Sequence, residues 1–79
     1  MKVRVLIRLK PGVLDVQGKA VEHGISDLGV SGVKNVTIGK LIEMQVDAKT
    51  SEEAKTQVDA LCQKLLANTI IENYEIEAA

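Results

Sequence analysis

Three features of the sequence predict a small α+β fold. Apolar and polar residues alternate along four separate runs, which is the spacing of half-buried strands. Two other stretches place their apolar residues three and four apart, the period of a helix with one buried face. The order is β-α-β-β-α-β, whose simplest product is an antiparallel sheet with both helices on one face and its remaining face and edges free for dimerisation. At 79 residues the chain makes a single domain, 1–79.

The first run, "KVRVLIRL" at 2–9, sets Val3, Val5, Ile7 and Leu9 against Lys2, Arg4 and Arg8, with Leu6 the exception. "KPG" at 10–12 ends it, because Pro and Gly together favour a turn. Asp15 then suits a helix N-cap, since its carboxylate can accept from an orphan N–H of the first turn. The helix is expected over 16–28, with Val21, Ile25 and Leu28 on its buried stripe and Gly29 as its left-handed stop. Gly18 and Gly24 weaken it, each at about 1 kcal/mol relative to Ala, so packing must hold it.

"VKNVTI" at 33–38 and "LIEMQVDA" at 41–48 both alternate, and Gly39–Lys40 between them predicts a hairpin with a type II′ turn. Thr50 and Glu53 have capping-box spacing. Behind them Ala54, Val58, Leu61, Cys62 and Leu65 form one apolar stripe, and Asn68 stands where the helix should stop. "IIENYEIE" at 70–77 is expected to be the last strand, with Tyr74 and Ile76 inward.

Composition excludes several functions. A net charge of −1 supplies no basic footprint for nucleic acid. Tyr74 is the one aromatic residue, too few to stack bases on a sheet. No apolar run approaches the ~20 residues of a membrane span, and the first ten residues lack a signal peptide's apolar core, so a cytoplasmic location is expected. One Cys permits no intrachain disulfide, and no CxxC or HxxH metal pattern occurs. His23 falls off the buried stripe and reads as a surface residue. Cys62 sits within the second stripe and reads as a small buried apolar group. "QGKAVEHG" lacks the register of a phosphate-binding loop. The residues taken alone therefore describe an interaction module without a catalytic set.

Four stretches in the same order carry a family resemblance: "VLDVQGKAV" at 13–21, "LG" at 28–29, "GKLIE" at 39–43 and "CQKLLANTIIENYEIE" at 62–77. Together they resemble PurS, the small subunit of phosphoribosylformylglycinamidine (FGAM) synthase, whose pattern is V-L-D-P-Q-G-x-A, then G-K, then C-x-K-L-L-A-N-P-x-I-E-x-Y. The match runs nearly end to end. Val16 and Thr69 stand where the family has Pro, and Thr37 where an Arg is frequent.

The resemblance implies a subunit of a ligase complex in purine biosynthesis, with no catalytic residue and no cofactor of its own. Such chains form a homodimer or tetramer and bridge two larger subunits. One is a glutaminase that releases ammonia. The other uses ATP and Mg²⁺ to activate the formamide oxygen of formylglycinamide ribonucleotide (FGAR), which ammonia then converts to the amidine, FGAM.

Seven residues are candidates for partner interfaces: Asp15, Gln17, Gly18, Gly39, Lys40, Asn68 and Tyr74. Gly18 permits a close backbone approach, either by a partner or by the neighbouring "KPG" loop. Lys40 at a hairpin tip could meet an acidic surface. The alternative reading is a regulatory domain that binds small molecules in the manner of amino-acid sensors, which has the same element order. An acyl-phosphate hydrolase is disfavoured because "KPGVLD" has no Arg to bind phosphate.

Overall fold

The computed structural model describes residues 1–78. At its centre is the first alternating run, β1 (Lys2–Leu9), flanked by β2 (Lys40–Gln45) and β3 (Glu72–Ala78). The sheet order is β2-β1-β3 and both pairings are antiparallel, with Val5 opposite Ile42 on one side and Ile76 on the other. Alternation does what the sequence predicts: Val3, Val5 and Ile7 all turn to one face and are buried there.

Helix α2 (Ser51–Leu61) covers that face with Ala54 and Val58, followed by Cys62, and these six residues are the core. Fully burying a Val or Ile side chain contributes about 1.5–3 kcal/mol, so the core is real but small. Ile42, Met44, Tyr74 and Ile76 are half-buried around it. Thr50 caps α2 by accepting from the Glu53 N–H at 3.1 Å, as the capping-box spacing predicts. The Glu53 carboxylate reaches back to the N–H of Lys49, at 3.4 Å.

The stripe on α2 departs from expectation at its end. A π-helical turn, Cys62–Leu66, follows the helix, closed by the Ala67 N–H donating to the Cys62 carbonyl at 3.1 Å. Such a bond spans five residues instead of four, so each turn holds more chain. Leu66 therefore returns to the core in place of Leu65, and Leu61 and Leu65 are exposed. Asn68 does not stop the helix in a left-handed conformation. It begins the turn into β3, its side-chain oxygen accepting from the Ile70 N–H at 3.2 Å.

Helix α1 (Val16–Asp27) behaves differently from α2. Asp15 caps it and Gly29, at φ +83°, ends it, both as expected. It makes no contact with the sheet comparable to that of α2, and Val21 and Leu28 of its expected buried stripe are exposed. Within one chain, then, the sheet face is covered by one helix and not by two.

Nor do residues 33–38 form a strand, and no hairpin joins them to β2. Positive φ occurs at Gly12, Gly29 and Gly32 but not at Gly39, so no type II′ turn forms there. Asn35, at φ +60°, breaks the segment in the left-handed region, and beyond it the chain lies across the first turns of α1, where side-chain carboxylates take the N–H groups of Val36 and Ile38 in place of a strand partner. The resulting chain is drawn out. Its radius of gyration is 15.9 Å, against about 11.6 Å for a compact domain of this length.

Candidate functional site

The site is best built from Asp15. Its Oδ1 accepts from the Gly18 N–H at 2.7 Å, which caps α1, and its Oδ2 accepts from the Ile38 N–H at 2.8 Å, which ties down the 33–38 segment. One side chain thus fixes two pieces of backbone. The Ile38 bond first, and the Gly18 bond second, hold the Asp15 carboxyl below its ordinary range, because both favour the charged form. A second carboxylate ties the segment down two turns further on. Glu22 Oε1 accepts from the Val36 N–H at 3.2 Å, and that bond lowers its pKa.

Gly18 is explained by this arrangement. A Cβ built on it would lie 2.5 Å from the Val36 carbonyl oxygen. Within the chain the close neighbour is therefore the segment 33–38 and not the "KPG" loop. Gly39 repeats the pattern, since its Cβ would lie 2.6 Å from the Ile7 carbonyl oxygen. Both glycines let the segment lie closer to its neighbours than any side chain allows.

Between these fixed walls lies a recess of about 230 Å³. Ile7 and Leu9 of β1 line it, with Leu14 to Gln17 on one wall and Ile38 to Lys40 on the other. Glu72, at the start of β3, completes it. Glu72 is nearly buried and both of its oxygens are engaged. Oε1 accepts from the Asn68 N–H at 2.7 Å, and Oε2 lies 3.5 Å from Lys40 Nζ.

The structure therefore gathers Asp15, Gln17, Gly39 and Lys40 around one recess, with Gly18 packed behind a wall and Asn68 linked to it through Glu72. Tyr74 lies elsewhere. Its hydroxyl donates to Asp59 Oδ1 at 2.5 Å, joining β3 to α2, and that bond raises the phenol's pKa. Sequence reasoning singles out neither Glu22 nor Glu72; Glu72 alternates with apolar residues along its strand and reads as a member of a solvated face. The signal for Glu72 was its position four residues after Asn68, across a turn that its carboxylate closes.

His23 is exposed and pairs with Asp27 at 3.5 Å. Burial, and then the Asp59 charge, pushes the Cys62 thiol up, away from the reactive thiolate. Among the described residues, no group of three or more His, Cys, Asp or Glu side chains could hold a metal ion. The recess is smaller than the 300–1,000 Å³ typical of small-molecule sites, and its carboxylates are occupied by backbone N–H groups and by Lys40.

The class this defines is a small two-layer α+β subunit with a rigid recess at one end of an antiparallel sheet. The PurS family model, described as phosphoribosylformylglycinamidine (FGAM) synthase, matches residues 2–79. A PurS subunit from Synechocystis is 47% identical over 94% of this chain and 74% of its own length. The crystal structure of PurS from Methanocaldococcus jannaschii superposes with a TM-score of 0.88 at 38% identity, covering 96% of this chain and 92% of that one. A chain of PurLQS from Thermotoga maritima gives 0.87 at 29% identity, covering 96% and 93%. This chain belongs to the PurS family, and PurS is a subunit of FGAM synthase in purine biosynthesis. The regulatory-domain alternative receives no support from these relatives.

Proposed function

We propose that this chain is the non-catalytic bridge of FGAM synthase, joining the glutaminase subunit to the ATP-dependent ligase subunit and supporting ammonia transfer between them. The observation that carries this reading is unsatisfied apolar surface on a chain with no reactive set among its described residues. The folded chain exposes 5833 Å², whereas a compact monomer of its mass exposes about 4,700 Å². The excess is of the size that one partner contributes to a specific interface. The exposed large apolar residues include Val21, Leu28, Val30 and Val33 on the flank formed by α1 and the segment after it.

A second copy of the chain is the first claimant to that flank, as a homodimer. Pairs of dimers and the larger subunits then use what remains. ATP and Mg²⁺ belong to the ligase subunit in this reading, and the complex is cytoplasmic. No helix among the described residues is long and apolar enough to cross a membrane.

Reconstitution tests the bridge. The glutaminase and ligase subunits are mixed with glutamine, ATP, Mg²⁺ and FGAR, with and without this chain. Glutamine-dependent FGAM synthesis should require the chain, while synthesis from added ammonia should persist without it. Glutamine-dependent synthesis that proceeds at full rate in its absence overturns the bridging role.

A further inference from the structure

We propose that in the homodimer helix α1 of each copy lies over the inner face of β2 in the other, so that each sheet takes its second covering helix from its partner. The inference rests on the homodimer reading above and names the two surfaces that meet.

Three observations carry it. The first is a sheet with half a cover. Helix α2 sits over the β3 side, where Tyr74 donates to Asp59, and β2 has no comparable helix neighbour. Val3, Val5 and Ile7 are sealed beneath α2. Ile42, Met44 and Val46, the inward residues of β2 and its continuation, are left half-buried.

The second is a helix without a sheet. Gly18 and Glu22 face the segment around Val36. About a quarter turn around α1, Gln17, Ala20, Val21, Gly24 and Leu28 make a face that carries no charge. Val21 and Leu28 on it are 44% and 82% exposed. Gly24 lies in the middle of this face. Glycine inside a helix is unfavourable, and a Cβ built on this one would meet nothing within 4 Å in its own chain, unlike Gly18. Its bare backbone suits close packing against something outside the chain. Met44, in the middle of the β2 face, is flexible enough to fill the space above it.

The third is that these two surfaces are kept apart within one chain. The arm that carries α1 leaves the sheet at one end, between Leu9 and Lys40. Asp15 ties α1 to Ile38, and Gly39 sets the returning chain against the Ile7 carbonyl. The arm is thus held away from its own sheet face, in a molecule 50 Å long and 15 Å thick. Two copies related by a two-fold axis make the missing contact twice. The exposed area exceeds that of a compact monomer by about 1,100 Å², enough for the roughly 800 Å² that each partner gives to a stable interface. A partner of another kind would need both a helix face and a sheet face at the right spacing; a second copy has both.

The test uses the full chain in two tagged forms, one carrying Val21→Cys and the other Met44→Cys, produced together and treated with a short bismaleimide. Native Cys62 is fully buried and stays out of the reaction. Lys55→Cys on the exposed side of α2 replaces Met44→Cys as the control. A second variant, Gly24→Gln, puts a good helix former where its own chain leaves open space, so the fold of the single copy is preserved.

Val21→Cys should cross-link to Met44→Cys in mixed dimers and not to Lys55→Cys. Gly24→Gln should raise the dissociation constant of the dimer tenfold or more, measured by sedimentation on dilution, while the amides of β1 and α2 keep their hydrogen-exchange protection. An unchanged dissociation constant overturns the proposal. So does cross-linking of Val21→Cys to its own counterpart in place of Met44→Cys, which would set α1 against α1. An unmodified chain that sediments as a monomer would instead reject the homodimer itself, and this inference with it.

Discussion

The two helices of this chain are held by different physics. Helix α2 is held by burial: Ala54, Val58 and Cys62 pack on Val3, Val5 and Ile7, and the cap at Thr50 only trims its end. Helix α1 is held by polar tethers. Its stripe is largely exposed, and it keeps its place through Asp15 and Glu22, whose carboxylates bind the backbone of residues 36–38. The first half is complete within one chain. The second is held in place by tethers and keeps its apolar flank exposed in the single chain.

The contrast can be broken most severely in the core. Ile7 is 1% exposed, and Ile7→Ala should cost about 2–5 kcal/mol. The whole stability of such a domain is on the order of 4–12 kcal/mol. Urea titration followed by circular dichroism should show both helices lost together at a much lower midpoint.

A smaller and more local break is expected on the other side. Gly18→Ala pushes a methyl group against the Val36 carbonyl and the Asp15 carboxylate. Overpacking of this kind costs about 1–3 kcal/mol. Hydrogen exchange at Val36 and Ile38 should accelerate strongly, while the amides of β1 and α2 keep their protection. Equal acceleration in both halves would show that the tethers are not a separate unit.

The gentlest probe is acid. Asp15 and Glu22 have lowered pKa values in the folded chain, so their stabilising contribution is complete above the ordinary carboxylate range and is lost as pH falls through their folded values. Amides of residues 36–38 should therefore loosen on acidification before the core responds. Asp15→Asn should remove most of that pH dependence.

The same division governs what could be read from the sequence. Everything fixed by burial was legible: β1, β3 with Tyr74 and Ile76 inward, and the Ala54–Val58–Cys62 face. So were the local caps at Asp15, Gly29 and Thr50, because capping chemistry is short-range. The errors fall where long-range polar contacts override local pattern. "VKNVTI" alternates like a strand, but its N–H groups are bound by carboxylates 14 and 23 residues earlier, at Glu22 and Asp15. No periodicity reveals that. Leu65 leaves the core because a π-turn shifts the helical phase by a residue, and Glu72 carries only the faint signal of its spacing from Asn68, because the turn it closes is set by where the helix ends.

The order of the sheet has a consequence for how the chain acquires its fold. Its central strand comes first in sequence, and both of its neighbours come later, β2 after α1 and β3 after α2. No adjacent pair of strands is joined by a short turn, so no local hairpin can serve as a seed. Pairings between distant segments are slow, because the loops must close before the contacts repay the lost entropy. During synthesis both edges of β1 stay bare until residues 40–45 are made, and one edge stays bare until residues 72–78 follow. Lys2, Arg4 and Arg8, alternating with its apolar residues, serve in that interval as gatekeepers against pairing with other nascent chains. Only later do they become partners of Glu43, Glu77 and Glu75 across the finished sheet.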